Sequence, residues 1–117
     1  MAKRFTLLLG IVLLVVGLWG ASTGGHDHEL VVFGVNSTHN LVHLLSGALA
    51  IGAAIGGEQI AAYYCLAFGT VYGLVAVLGF MQVHAALHML NLNMADNFLH
   101  LAISAACLWV GGMSKGR

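Results

Sequence analysis

The hydrophobic residues of this chain are gathered into four long runs, which short polar segments separate. The runs cover about residues 5–21, 39–57, 60–80 and 97–113. Each run is close to the roughly 20 residues that an α-helix needs to cross a hydrocarbon core about 30 Å thick. Backbone polar groups at that depth must find their partners within the same segment, so each run should be helical. The pattern therefore predicts four transmembrane helices.

The composition agrees with a membrane protein. The 117 residues are 60% hydrophobic and only 7% charged, whereas soluble domains carry roughly 25% charged residues. The formal net charge is zero, and the chain has no basic patch that could bind nucleic acid. We therefore expect a single domain, residues 1–117, whose surroundings are the lipid bilayer and which has no nucleic-acid partner.

The basic residues lie only near the two ends of the chain, at Lys3, Arg4, Lys115 and Arg117. The positive-inside rule then predicts that both termini are cytoplasmic, as an even number of spans also requires. In this orientation the two outer segments and the helix ends beside them contain all seven histidines. We expect a multi-pass protein of a bacterial inner membrane or a thylakoid membrane, with its polar chemistry on the outer, periplasmic side.

A polar motif occurs twice, at the start of the second and of the fourth hydrophobic run. Residues 36–44 read NSTHNLVHL and residues 93–101 read NMADNFLHL. Glycines in the first and third runs also match at a constant offset. We interpret the chain as two parallel helical-hairpin repeats, about 5–57 and 60–113, related by an axis along the membrane normal. The predicted fold class is an all-α membrane protein, a bundle of four transmembrane helices.

Within each copy of the motif, the polar positions follow the spacing i, i+3, i+4, i+7, which places them on one helix face. They are Asn36, His39, Asn40 and His43 in the first copy, and Asn93, Asp96, Asn97 and His100 in the second. Two parallel hairpins would turn these faces toward each other. The sequence therefore predicts a paired polar site at the outer end of the bundle.

One interpretation of this site is a transition-metal centre. Three imidazoles and one carboxylate, a set that suits Zn, Cu or Fe, would be the ligands: His39, His43, Asp96 and His100. The four asparagines of the motif would orient these ligands through hydrogen bonds. Further histidines in the outer segments are peripheral candidates, namely His26, His28, His84 and His88.

Two other interpretations use the same residues. His43 and His100 could be the axial ligands of a haem or a chlorophyll-type pigment, since small residues beside them would leave room for a ring. Alternatively the motif only caps and joins helices, because Asn36 and Asn93 are good N-cap residues and Asp96 suits the positive end of a helix. No set of catalytic residues can be recognised, so we expect a protein that is not an enzyme.

Small residues and cysteines indicate how the helices pack. GxxxG patterns at residues 52–56 and 69–73 predict close helix contacts, within this chain, in a homo-oligomer or with a larger membrane complex. Cys65 and Cys107 lie inside predicted helices, where we interpret them as small packing residues.

Residues 81–92 carry apolar and polar side chains on opposite sides and predict a short interfacial helix.

Three segments, FGVNSTHNLVHLLSGALAI, FGTVYGLVAVLGF and LNLNMADNFLHL, resemble the bacterial four-helix membrane proteins grouped as domain of unknown function 4383. The resemblance extends from about Phe33 onward and includes the position of the first helix. It implies the four-span fold but no activity and no functional residues. The residues themselves favour a small non-catalytic accessory subunit or binding protein, in which a metal, a pigment or a purely structural role all stay open.

Overall fold

The computed structural model describes residues 1–115, and within them the chain forms four long helices, one short helix and one small β-hairpin. The helices are α1 (Ala2–Ser22), α2 (Ser37–Ile55), α3 (Glu58–Phe80), α4 (His84–Leu90) and α5 (Met94–Ser114). Strands β1 (His28–Leu30) and β2 (Phe33–Val35) lie between α1 and α2. Arg117, on which part of the orientation prediction rests, lies outside the described residues.

Four of these helices, α1, α2, α3 and α5, are long and apolar enough to cross a membrane. Many large apolar side chains on their outer surfaces are exposed, which suits a protein whose solvent is lipid. The predicted number of membrane-spanning helices is therefore confirmed. Helix α2 begins at Ser37 and α5 at Met94, before the hydrophobic runs, because an asparagine cap directly precedes each helix.

Glycines allow close contact within two helix pairs, α1 with α2 and α3 with α5. A Cβ atom on Gly10 would lie 2.8 Å from the carbonyl oxygen of Gly47, and a Cβ on Gly47 would lie 2.8 Å from that of Gly10. In the second pair, a Cβ on Gly111 would lie 2.8 Å from the carbonyl oxygen of Ala62. Such approach of one backbone to another favours helix association in lipid, where no hydrophobic effect brings helices together.

The two GxxxG patterns differ in what they contact. A Cβ on Gly69 would meet the side chains of α5, and one on Gly73 would lie 2.7 Å from Oγ of Ser104. A Cβ on Gly52, in contrast, would meet nothing within 4 Å. Helix α2 turns a different glycine, Gly47, toward α1, so the pattern at residues 52–56 does not form the contact between these two helices.

The two helix pairs meet through α1 and α3. Oγ1 of Thr6 lies 3.2 Å from Sγ of Cys65 in the buried core, and both Cys65 and Cys107 are free and fully buried. The carboxylate of Glu58, at the start of α3, accepts hydrogen bonds from the backbone nitrogens of residues 1–3 and forms an ion pair of 2.8 Å with the terminal amine. Helices α1 and α3 therefore begin at the same end of the bundle, and α2 and α5 begin at the other.

The β-hairpin and α4 cover the end of the bundle where α2 and α5 begin. The amide of Asn91, a residue in the left-handed conformation at the end of α4, donates to the carbonyl oxygens of His28 and Val35 at 3.1 and 3.0 Å. A Cβ on Gly34 would overlap the carbonyl oxygen of Asn91, so only glycine fits between hairpin and α4. The sequence did not predict this hairpin, since its backbone is held by residues far away in the chain.

Candidate metal site

Three buried histidines converge at the covered end of the bundle. His39 and His43 lie one turn apart on α2, and His100 lies on α5. Each offers one ring nitrogen such that the three atoms lie within 4.8 Å of one another. The centroid of the His39 ring is 4.5 Å from that of His43 and 5.6 Å from that of His100. The exposed fractions of the three residues are only 2%, 6% and 3%.

One nitrogen on each of these rings has no hydrogen-bond partner. These atoms are Nε2 of His39, Nδ1 of His43 and Nδ1 of His100. Leaving a buried polar atom unpaired costs about 1–3 kcal/mol, and native proteins pair the great majority of such atoms. A single metal ion bound by all three rings would give each of these nitrogens a partner at once.

The orientation of His39 is set by α4. Its Nδ1 donates to the carbonyl oxygen of Leu90 at 2.9 Å, because a carbonyl can only accept. The proton therefore resides on Nδ1, and Nε2 carries the lone pair that a metal ion needs. A second hydrogen bond that fixes the tautomer and the ring plane is the usual support of a metal-ligating histidine.

Asn36 caps α2 and joins it to both covering segments. Its Oδ1 accepts from the backbone nitrogen of His39 at 3.0 Å, which defines the start of the helix. Its Nδ2 donates to Oδ1 of Asp27 at 3.0 Å and to the carbonyl oxygen of Met89 at 3.1 Å. Asn36 is thus the N-cap that the capping interpretation predicts, and it supports His39 through the backbone.

Asp96 and Asn93 form a reciprocal capping box at the start of α5. Oδ1 of Asn93 accepts from the backbone nitrogen of Asp96, and Oδ2 of Asp96 accepts from that of Asn93, both at 2.9 Å. The same Oδ2 accepts from the backbone nitrogen of Gly34 in β2 at 3.0 Å. The structure brings the three predicted histidine ligands together, and Oδ2 of Asp96 holds the β-hairpin on α5.

Asn40 and Asn97 occupy matching places in the two helix pairs. A Cβ on Gly20 would overlap Oδ1 of Asn40, and a Cβ on Gly79 would overlap Oδ1 of Asn97. Both Oδ1 atoms lack a hydrogen-bond partner, and Nδ2 of Asn97 contacts Sδ of Met94 at 4.0 Å. In the described residues, neither amide bonds to a histidine ring, so their predicted orienting role is not seen in these contacts.

The four peripheral histidines stay outside the cluster. His26 and His28 pack together beside the hairpin with ring centroids 4.5 Å apart, and His84 and His88 do so on α4 at 4.1 Å. Within residues 1–115, the group that could hold a metal ion consists of the three buried histidines alone. His84 and His88 are exposed, which makes them useful as matched controls.

Sequence reasoning missed Tyr72 as a neighbour of the cluster. Its buried ring meets the ring of His100 edge-on at 5.2 Å and stacks on Phe68 at 4.0 Å. Both aromatic rings lie on α3. Nothing in the sequence distinguishes Tyr72 from other large side chains in its hydrophobic run. The contact of His39 with Leu90 could not be predicted either, because the acceptor is a backbone oxygen that every residue has.

Comparison with known proteins gives a family but no activity. The model of the family described as Domain of unknown function (DUF4383) matches residues 3–113. No curated protein and no solved structure matches the chain significantly. Because the family model covers almost the whole chain, this protein belongs to the family of domain of unknown function 4383.

Proposed function

We propose that this chain is a small, non-catalytic integral membrane protein that binds one transition-metal ion through His39, His43 and His100. The supporting observation is the convergence of three buried histidines from two helices, each with one ring nitrogen within 4.8 Å of the others and one ring nitrogen without a hydrogen-bond partner. Metal–nitrogen distances of about 2.0–2.1 Å place three ligand nitrogens roughly 3.3–3.6 Å apart. Small rotations of the side chains would bring the three nitrogens to that separation.

The geometry favours an ion over a pigment. A tetrapyrrole with His43 and His100 as axial ligands needs its flat macrocycle between those two rings. The ring of His39 lies within 5.6 Å of both, and Tyr72 closes the side formed by α3. A single ion between the three imidazoles would need only small rotations of these side chains.

A purely structural role explains the asparagines and Asp96 better than it explains the histidines. Asn36, Asn93 and Asp96 have the hydrogen bonds of helix caps. The ring nitrogens of the cluster cap nothing, and apolar side chains of similar size would pack there without three unpaired polar atoms. Metal binding would give a nitrogen of each ring a partner, which packing alone does not.

We further propose that the two helix pairs are parallel repeats, with both termini in the cytoplasm and the cluster on the outer side. The matched contacts of Gly20 with Asn40 and of Gly79 with Asn97 support the duplication, and Lys3 and Arg4 at the start of α1 support the orientation. The protein would serve a bacterial inner membrane or thylakoid complex as an accessory subunit. The lipid-facing surface around Gly52 is open to a partner helix.

Metal binding can be tested on the purified protein in detergent. After removal of metals with a chelator, the protein is titrated with Zn(II) or copper, and the bound metal is determined by elemental analysis. We expect about one ion per chain, lost in a variant with His43→Ala and His100→Ala. The control, His84→Ala with His88→Ala, removes two exposed histidines and should keep the ion. A chain that holds no ion, or holds it equally well in both variants, would refute the proposal.

A further inference from the structure

The donor set of the cluster contains no anion. Its three members are imidazoles, and Oδ2 of the nearby Asp96 already accepts from two backbone N–H groups. The outer carboxylates Asp27 and Glu29 are exposed and contact the amides of Asn36 and Asn93 instead. An ion held by these three imidazoles alone would bring its whole charge into the buried end of the bundle.

Burial makes the charge of the ion decisive. The free energy needed to move an ion from water into a medium of low dielectric constant rises with the square of its charge. A divalent ion therefore pays about four times the desolvation cost of a monovalent ion of equal size. With His39, His43 and His100 all at least nine-tenths buried, this desolvation cost falls more heavily on a divalent ion than on a monovalent one.

The number of donors leads to the same ion. Zn(II) takes four ligands in a tetrahedron and, where a protein offers three histidines, completes the set with a water molecule, whereas Cu(II) prefers a tetragonal set of nitrogen and oxygen donors. Here three nitrogens converge on residues that are at most 6% exposed, so a fourth ligand from water would have to be buried together with the ion. Cu(I) has a filled d shell and is stable with three nitrogen donors in a trigonal arrangement.

We infer that the ion bound by His39, His43 and His100 is monovalent copper, an inference that rests on the proposed metal site. The three rings would surround Cu(I) in a trigonal plane without a fourth ligand. The protein would then bind copper in its reduced state at the outer end of the bundle. Oxidation to Cu(II) would add a second positive charge, and Cu(II) would require further donor atoms. The three imidazoles supply neither a negative charge nor a fourth donor.

The test compares ions on the same metal-free protein in detergent. Under anaerobic conditions with ascorbate, Cu(I) is supplied as its bicinchoninate complex, and the protein competes for it. Zn(II) is supplied in parallel with a fluorescent zinc chelator as the competitor. We expect one Cu(I) per chain, a dissociation constant at least about 100-fold lower than for Zn(II), and about three nitrogen donors by X-ray absorption spectroscopy.

Variants separate the histidines from the two free thiols, since thiolates also bind Cu(I). Cys65→Ala with Cys107→Ala should keep the Cu(I), and His43→Gln with His100→Gln should lose it. Glutamine preserves much of the volume of histidine, and circular dichroism confirms that the variant is folded. Retention of Cu(I) in the glutamine variant, or its loss in the alanine variant of the cysteines, would overturn the inference.

The outcomes also distinguish this inference from the proposed function. If Zn(II) or Cu(II) binds as tightly as Cu(I) and depends on the same histidines, the metal site stands and its assignment to Cu(I) fails. A fourth donor in the spectrum of the Cu(I) form would likewise overturn the trigonal site. If no ion binds in a histidine-dependent way, both the proposed function and the inference fall.

Discussion

Replacing Gly47 by alanine should weaken the contact between α1 and α2. A Cβ atom at this position would lie 2.8 Å from the carbonyl oxygen of Gly10 and 2.9 Å from the backbone nitrogen of Leu14. Both obstacles are backbone atoms, so a rotation of side chains cannot relieve the overlap and the helices must move apart. Overpacking of this kind costs about 1–3 kcal/mol in a tightly packed interior.

A second glycine on the same helix provides the control. Alanine in place of glycine stabilises a helix by about 0.8–1 kcal/mol, and this gain partly hides the overlap in Gly47→Ala. A Cβ on Gly52 would meet nothing within 4 Å, so Gly52→Ala should show the helix gain alone. The free energy of unfolding of Gly47→Ala should therefore lie about 1–3 kcal/mol below that of Gly52→Ala.

The comparison can be measured by equilibrium unfolding with SDS in mixed micelles, followed by far-UV circular dichroism. Both variants and the unchanged chain are titrated under identical conditions, and the difference between the two alanine variants is the quantity of interest. Equal stabilities, or a Gly47→Ala variant more stable than Gly52→Ala, would show that the backbones of α1 and α2 do not approach as described. The contact that holds His39 and His43 in place would then have to be reconsidered.

Three further predictions concern the site and its orientation. Asp96→Asn keeps an oxygen that can accept from both backbone N–H groups, so we expect metal affinity, measured by titration calorimetry, to change by less than about threefold. Asp96→Ala removes that oxygen and should lower the free energy of unfolding by about 1–2 kcal/mol. Loss of the ion in Asp96→Asn would show that this carboxylate is a ligand. Acidification should release the ion, because protons compete for the same imidazole lone pairs, and affinity that does not fall at any pH at which the chain stays folded would speak against histidine ligands. For the proposed topology, the cysteine of Thr23→Cys should react with a membrane-impermeant thiol reagent on intact cells. The cysteine of Gln59→Cys should react only after the membrane is opened. The reverse pattern would show that the orientation is inverted.

The number of long helices followed from the sequence because the physical cause acts locally. A span needs about 20 apolar residues, and an asparagine directly before such a run has the side chain that a helix start requires. The spacing of His39 and His43 on one helix face follows equally from the period of the α-helix. Features that depend on a few neighbouring residues could therefore be predicted without the structure.

The environment of the site depends on contacts between distant residues, which a pattern along the chain does not contain. The backbone nitrogen of Gly34 bonds to Asp96, 62 residues later, and that contact helps to hold a β-hairpin in a segment with no strand pattern. His39 is oriented by the carbonyl oxygen of Leu90, 51 residues away. A carboxylate at ligand spacing could not be recognised as a cap and clamp until its partners were known.

The difference between His39 and Asp96 explains why a doubled motif gives a cluster of three histidines. Both residues occupy the third position after an asparagine cap and both are buried. His39 has a second ring nitrogen, so bonding to Leu90 through Nδ1 still leaves Nε2 without a hydrogen-bond partner. Asp96 uses Oδ2 on two backbone N–H groups and thereby fastens the cover of the site. One copy of the motif thus contributes two histidines to the cluster, and the other contributes one histidine and the clamp that keeps the cluster enclosed.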